Sequence, residues 1–502
     1  MSLGSSLDPA TVVAVTTAGS FVAAGGAYLA ASRRPAPPTW AERHARGSRI
    51  PEFPALRIFE YVLVALLAGY AFFDRAFAWI HVPGTPLFLS EMALAFGLFA
   101  VLGTHPRLGE AARRSAAFRA LAAYMIWGAG LLAVSLPRWG LDAVRDSVLW
   151  YYGAVAIYVV VLVRSRPDRI RRWLRWFGLA IPALLVWGPI AVVLDAVYDD
   201  RVPLVPDSEI PIVAHRTGNV LVLTGMAVAF LWLVDHAGVL YDRRQRNFLT
   251  ALATAAVIFS AMRNRGGFVA VVIGLVVVLF FLRRRRSELT VVMVGAAVLL
   301  LTVGLLSDVR LALFGDREVS VEQLVANLES VVDPDSGGKR QSSTTKWRLE
   351  IWERVFEDVT TEFPIAGFGP GPDLGERYGI TTDENVPLRN PHNSHVHILA
   401  RMGYVGIALW AILWVAWIRE MLGLRRRLAR RGRRTEAAVA VWILVSAVAI
   451  LVNAVFDPTL EGPQVGWWLW SLFGLGVAMT LLERRGVLPD LHLGRRPRRF
   501  ET

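Results

Sequence analysis

Five stretches of this chain run for about the thickness of a lipid bilayer without a single Asp, Glu, Lys or Arg: Ala10–Ser32, Trp176–Leu194, Thr217–Val234, Leu289–Leu306 and Ala437–Phe456. The hydrocarbon core of a membrane takes about 20 apolar residues as a helix, so each run fits one span. The remaining composition agrees. Hydrophobic residues make up 54% of the 502 and charged residues 19%, too much apolar surface for separate soluble cores to hide. A soluble enzyme, a disordered chain and a nucleic-acid module are excluded as the main reading. Cysteine is absent, which removes disulfides, thiolate metal sites and a cysteine nucleophile.

Hydropathy places thirteen candidate helices near 10–32, 57–73, 86–103, 118–136, 147–163, 174–195, 217–234, 247–262, 266–282, 288–306, 396–418, 436–456 and 464–482. The expected fold is an all-α polytopic membrane protein of about 12–13 spans with one large extracytoplasmic helical loop domain. Four regions follow: N-terminal spans at 1–216, central spans at 217–306, the loop domain at 307–395, and C-terminal spans with a tail at 396–502. Glu60 interrupts the second span, and only Arg263–Arg265 separate the eighth from the ninth, which predicts a tight hairpin. The opening MSLGSSLDPA carries no positive region and leads into a run of full membrane length, so no cleavable signal is expected.

The net charge of +13 is almost wholly arginine, since Lys339 and Lys346 are the only lysines. Alternate loops (33–57, 104–119, 164–175, 235–247, 283–287, 419–435 and 484–502) hold 37 arginines. Positive residues collect on the cytoplasmic side of short loops. The alternation therefore puts the N-terminus outside and the C-terminus inside, or both inside if 10–32 does not span. Segment 307–395 then faces outside and carries a net charge of −7. Two amphipathic helices are expected in it, Val319–Val332 and Lys346–Glu362, the second with Trp347, Ile351 and Val355 on one face.

The unusual polar residues gather on the outer side. Arg265 sits in the turn MRNRGG, where Gly266 and Gly267 allow close backbone approach. Its guanidinium suits a phosphate bidentately, or simply snorkels to water. Arg348, in KWRLEIW, has no acidic residue three or four positions away, so a helical salt bridge is not offered. Trp352 is placed to stack on it. Arg145 and Arg216 stand beside helix starts, as anion ligands or as snorkelling arginines. The run NPHNSHVHILARMGYVG holds His392, His395 and His397. Their spacing is poor for zinc, with no HExxH pattern, whereas a histidine near its unperturbed pKa of about 6.5 suits proton abstraction. Asp457 and Glu461 lie in the loop before the last span, as partners of a histidine, ligands of sugar hydroxyls, or ordinary loop acids.

These residues resemble a family. His392-Asn393, nine residues and then Gly403-Tyr404-Val405-Gly406 are similar to the HN and GxxG pattern of the O-antigen ligase and O-antigen polymerase superfamily. Arg265–Gly267 resembles its short arginine loop, Arg348–Trp352 its RxxxW element, and Phe363–Gly371 the string that follows. Order and spacing agree across 217–482. The resemblance implies a bacterial cytoplasmic-membrane enzyme with its active site facing the periplasm. Such an enzyme moves a glycan from undecaprenyl diphosphate to an acceptor hydroxyl on a glycan or lipid core, without metal, cofactor or nucleotide sugar. It implies His392 as base on the acceptor, and Arg265 and Arg348 as diphosphate ligands. Beside them, Arg216, Arg145, Asn393, Asp457 and Glu461 are supporting candidates by their place on the outer side. Polymerase and ligase are not separated by these motifs. A reading of another class is a lipid-linked glycan transporter, for which Glu60 and Glu91 are membrane acids, although no repeat between halves is evident.

Overall fold

The computed structural model describes residues 53–104, 108–197, 202–235, 238–261, 264–282, 285–306, 311–314, 317–319, 339–379 and 389–494. The first candidate span and most of the expected helix at 319–332 lie outside the described residues. Each of the other twelve expected spans is a helix. They are labelled α1 (Pro54–Ala78), α2 (Leu89–Leu102), α3 (Ala116–Trp139), α4 (Gly153–Ser165), α5 (Arg169–Val197), α6 (Thr217–Ala229), α7 (Arg243–Ala261), α8 (Arg265–Phe281), α9 (Arg286–Leu306), then α10 (Lys339–Thr361) in the loop domain, and α11 (Ser394–Arg430), α12 (Arg434–Asn453) and α13 (Pro463–Arg484). Among the described residues eight helices are long and apolar enough to cross a membrane, and the α2 and α8 segments are apolar but shorter. A two-stranded hairpin, Leu311–Phe314 with Arg317–Val319, was not expected from the sequence. It places Val319 in a strand rather than at a helix start.

The spans pack through aromatic contacts, since burial from lipid gives little driving force between apolar helices. Phe177, Phe230, Trp442 and Trp468 interlock α5, the turn after α6, α12 and α13. Trp414, Trp417, Trp470 and Phe473 do the same for α11 and α13. The arginine-rich loops meet at one end of the bundle. Glu110 pairs there with Arg164 at 3.1 Å and with Arg485, and Arg427 and Arg431 pair with Glu483 at 2.8 and 2.7 Å. Glu60 does not break α1. It is buried at that same end, 2.7 Å from the buried Arg169 and also paired with Arg172, so the acid is neutralised by arginines from α5.

α11 is two helices in one. Gly403 has φ 64 and ψ −166, a conformation only glycine adopts readily. The helical ladder opens there, and the loop after α10 supplies what is missing. Phe368 N donates to the Ala400 carbonyl at 2.7 Å, Tyr404 N donates to Pro364 O at 2.8 Å, and Trp127 Nε1 of α3 donates to Met402 O at 3.0 Å. The backbones touch so closely that a Cβ on Gly367 would lie 2.8 Å from Gly403 N, and one on Gly403 2.5 Å from Gly367 N. The glycines of Phe363–Gly371 and of Gly403–Gly406 are thus two sides of one splice.

Candidate active site

The polar residues expected to carry chemistry lie at the end of the bundle opposite the arginine-rich loops. The site is assembled from the C-terminal end of α1, the N-terminal ends of α6, α8 and α11, the α12–α13 loop, and α10 laid across them.

His392 stands immediately before α11. Asn393 is the N-cap, its Oδ1 accepting from His395 N at 2.9 Å and Val396 N at 3.1 Å. His392 itself has φ 51, rare for a side-chain-bearing residue. Its N–H donates to Asn390 Oδ1 at 3.1 Å, and Trp352 Nε1 donates to the carbonyl of Pro391 at 2.8 Å. The ring packs edge-on to Trp347 at 5.6 Å. Its Nδ1 is buried and has no hydrogen-bond partner. Burial, then the positive charges of Arg348 and Arg216, push its pKa down to about 4 and not the unperturbed 6.5 expected from the sequence, so the ring is neutral at pH 7 and a weaker base than an ordinary histidine.

Arg348 and Arg216 converge on the α12–α13 loop from opposite sides. Arg348 Nη1 donates to Phe456 O at 3.1 Å, and Arg216 Nη1 donates to Pro458 O at 3.1 Å. Asp457 lies between the two carbonyls. Burial raises its pKa, against the hydrogen bond from Asn264 and the charges of both arginines. Burial lowers that of Arg348, against the attraction of Asp457. The guanidinium stands over the ring of Trp347 at 5.7 Å. The aromatic partner expected from spacing was Trp352, but that indole faces the Pro391 carbonyl instead, because its N–H must be satisfied when buried.

Arg265 is the first residue of α8, and its side chain lies outside the described part of the structure. The turn around it is fixed by Asn264, which the sequence reading passed over. Asn264 Oδ1 accepts from Gly267 N at 2.7 Å, capping α8, while its Nδ2 donates to Asp457 Oδ2 at 3.0 Å. A Cβ on Gly267 would lie 2.9 Å from Gly218 Cα, which explains the glycine there. Asp74 was also missed. At a break in α1 with φ 42, it accepts from Arg216 N at 2.6 Å and from Asn219 Nδ2 at 2.8 Å.

Glu461 orients a histidine, but the histidine is His397. His397 Nδ1 lies 2.9 Å from Glu461 Oε1, and Ser394 Oγ donates to Oε2 at 2.6 Å. Burial would raise the Glu461 pKa, yet these bonds hold it below the usual value. Arg401 Nε donates to His397 Nε2 at 3.0 Å, so Nδ1 carries the His397 proton. Arg401 continues to Asp146 at 2.9 Å, which also takes Arg389 at 3.2 Å. His395 is likewise spent on structure: Trp410 Nε1 donates to its Nδ1 at 3.1 Å, leaving Nε2 to donate to Leu451 O at 3.0 Å. Of the three histidines in the run, only His392 keeps a ring nitrogen unpartnered. Arg145 is exposed on the short helix Leu141–Asp146 and is not brought against His392. Its neighbour Asp146 is the residue built into the structure. Glu91, the other membrane acid, accepts from Ser90 Oγ at 2.7 Å and from Tyr152 OH at 3.1 Å.

Comparison with known proteins falls on this part of the chain. No curated protein matches it. Residues 248–411, running from α7 through the α8 turn and α10 to the Gly403 splice, match the O-Antigen ligase family model. The matched segment is about a third of the chain, and it supports the O-antigen ligase and polymerase superfamily and a membrane glycosyltransferase type of role.

Proposed function

We propose that this protein transfers a glycan from undecaprenyl diphosphate to an acceptor hydroxyl, on the extracytoplasmic side of a bacterial cytoplasmic membrane. The observation that carries the reading is His392, a neutral, buried imidazole with a free Nδ1, set beside Arg348 and Arg216. Arginines neutralise the charge that develops on a diphosphate as it leaves, which is the main barrier to breaking its bond to the sugar. His392 Nδ1 accepts the acceptor's hydroxyl proton as the new glycosidic bond forms. Arg348 and Arg216 grip the diphosphate together with Arg265 from the adjoining turn. Asp457 holds the two described arginines as counter-ion until the donor's phosphates replace it. Asn393 and Trp352 fix the His392 turn, and Glu461 acts one turn further on, by fixing His397.

The test uses purified protein in nanodiscs with a lipid-linked oligosaccharide and an acceptor. His392→Ala is expected to abolish transfer while binding of the lipid-linked donor persists. Normal transfer by a folded His392→Ala protein overturns the base assignment. In the same assay a ladder of products marks a polymerase, and movement of the whole glycan to a second acceptor marks a ligase.

A further inference from the structure

α10 buries one face against the bundle, through Ile351, Val355 and Val359. A second apolar line on it is left uncovered. Leu349 is 50% exposed and Phe356 is 55% exposed, and they are seven residues apart, hence one above the other on a helix. Phe363, seven further on and just past the helix end, is also exposed, and Ile365 is 66% exposed. The edge of the helix across from the buried face is charged, with Glu350, Arg354 and Glu357 exposed and Arg354 paired with Glu350; Glu353, also exposed, borders the apolar line on the side toward that charged edge. A soluble loop domain gains nothing from displaying such a stripe. What it adjoins explains it. Phe356 packs edge-on to Tyr404 of α11 at 6.1 Å, and Thr360 Oγ1 shares a hydrogen bond with the Tyr404 hydroxyl at 2.8 Å. Below Tyr404, at helical spacing, the exposed face of α11 continues through Ala408, Ile412 and Val415, which in a membrane-spanning helix meet lipid. The stripe on α10 is the upper continuation of that lipid-facing surface.

We propose that α10 is a membrane-surface helix, with Leu349, Phe356, Phe363 and Ile365 entering the headgroup–acyl boundary of the leaflet at the site end while Glu350, Arg354 and Glu357 stay in water. An amphipathic helix lies in the interface plane in this way, its apolar face a few ångströms into the acyl boundary. The partner is the lipid surface itself, and the inference does not depend on glycan transfer. It does fix the height of Arg348, the residue before Leu349, at the level of lipid phosphates.

The absence of cysteine makes the test direct. A nitroxide is placed on the full chain in lipid nanodiscs at Leu349→Cys, Phe356→Cys or Phe363→Cys, with Glu350→Cys and Glu357→Cys as controls on the same helix. Collisions with molecular oxygen are expected to exceed those with a water-soluble nickel chelate at the three apolar positions, with the order reversed at the two controls. A bimane probe on the same cysteines is expected to be quenched by brominated acyl chains at the apolar positions alone. Free access of the nickel chelate to all five positions overturns the proposal. So does shielding of the apolar positions from both collision partners, which marks a protein cover instead of lipid.

Discussion

Replacing Gly403 by alanine tests whether the splice between α11 and the loop after α10 holds the candidate site together. The residue has φ 64 and ψ −166, and holding a non-glycine residue in such a region costs about 1–3 kcal/mol. The new Cβ would also overlap the Ile365 carbonyl and sit 2.5 Å from Gly367 N. The loop must retreat, which breaks the bonds from Phe368 N to Ala400 O and from Tyr404 N to Pro364 O. Each is worth about 0.5–1.5 kcal/mol net, so the total cost is about 2–6 kcal/mol. The matched control is Gly130→Ala, where nothing lies within 4 Å of the added Cβ and a helical glycine gains about 0.5–1 kcal/mol on becoming alanine. Thermal unfolding in nanodiscs and transfer from a lipid-linked donor are measured on both. Gly403→Ala is expected to melt lower and lose transfer, and Gly130→Ala to melt no lower than the parent. Equal melting and equal transfer in the two variants would refute the claim that loop and span share one hydrogen-bond ladder.

The ordinary histidine pKa is 6.5 and that of His392 is pushed down to about 4. The acid limb of kcat/KM, which reports the free enzyme, is therefore expected near pH 4, and Arg348→Gln to move it upward, read against each protein's own plateau. The same shift makes His392 a source of acid instability. The unfolded chain takes up its proton first as pH falls from about 6.5 to about 4, so stability drops across that window and is recovered in part by His392→Gln, as a denaturation series at several pH values shows. Glu60→Ala removes the carboxylate that neutralises the buried Arg169 and is expected to cost about 3–5 kcal/mol. Transfer per folded molecule is expected to persist, which distinguishes a structural acid from a proton carrier. Asn393→Ala removes the cap of α11 and is expected to cost about 1 kcal/mol by thermal unfolding, with a larger fractional loss of transfer because His392 is its neighbour.

Much of this was legible in the chain because it is local or periodic. Twelve helices follow from hydropathy, eight of them, among the described residues, long and apolar enough to span a membrane, and the arginine alternation foretold which loops share an end, as the pairing of Glu110 with Arg164 and Arg485 shows. The joining of Arg348, Arg216, His392 and Asp457 rests on contacts between residues far apart in sequence. The family pattern pointed to Arg348 and His392, and no spacing rule joined them to Arg216 and Asp457. What stayed illegible is the choice among equals. Trp347 and Trp352 are both near Arg348 on the helix, and only the position of the Pro391 carbonyl decides which indole turns away. Three histidines share one run, and only tertiary partners show that His395 and His397 are committed. Asp74 and Asn264 look like ordinary polar residues at helix ends until the loops they cap are in place. Arg145 looked equivalent to Arg216, but the short helix turns it to solvent.

The Arg389 brace has a consequence for how such chains diversify. Arg389 reaches Asp146 at 3.2 Å, Asp373 at 3.4 Å and the Gly371 carbonyl at 2.7 Å, while Arg401 ties the carbonyls of Gly369 and Pro372 to α11. The chain leaving Gly371 and the chain returning at Arg389 are thereby clamped to the same few atoms. Pro372 and Asp373 are themselves parts of the clamp, Leu374 is buried against α10, and Arg377 pairs with Asp358 at 2.9 Å. Sequence change at 371–378 is thereby coupled to the position of His392, three residues beyond Arg389, although none of these side chains touches the histidine.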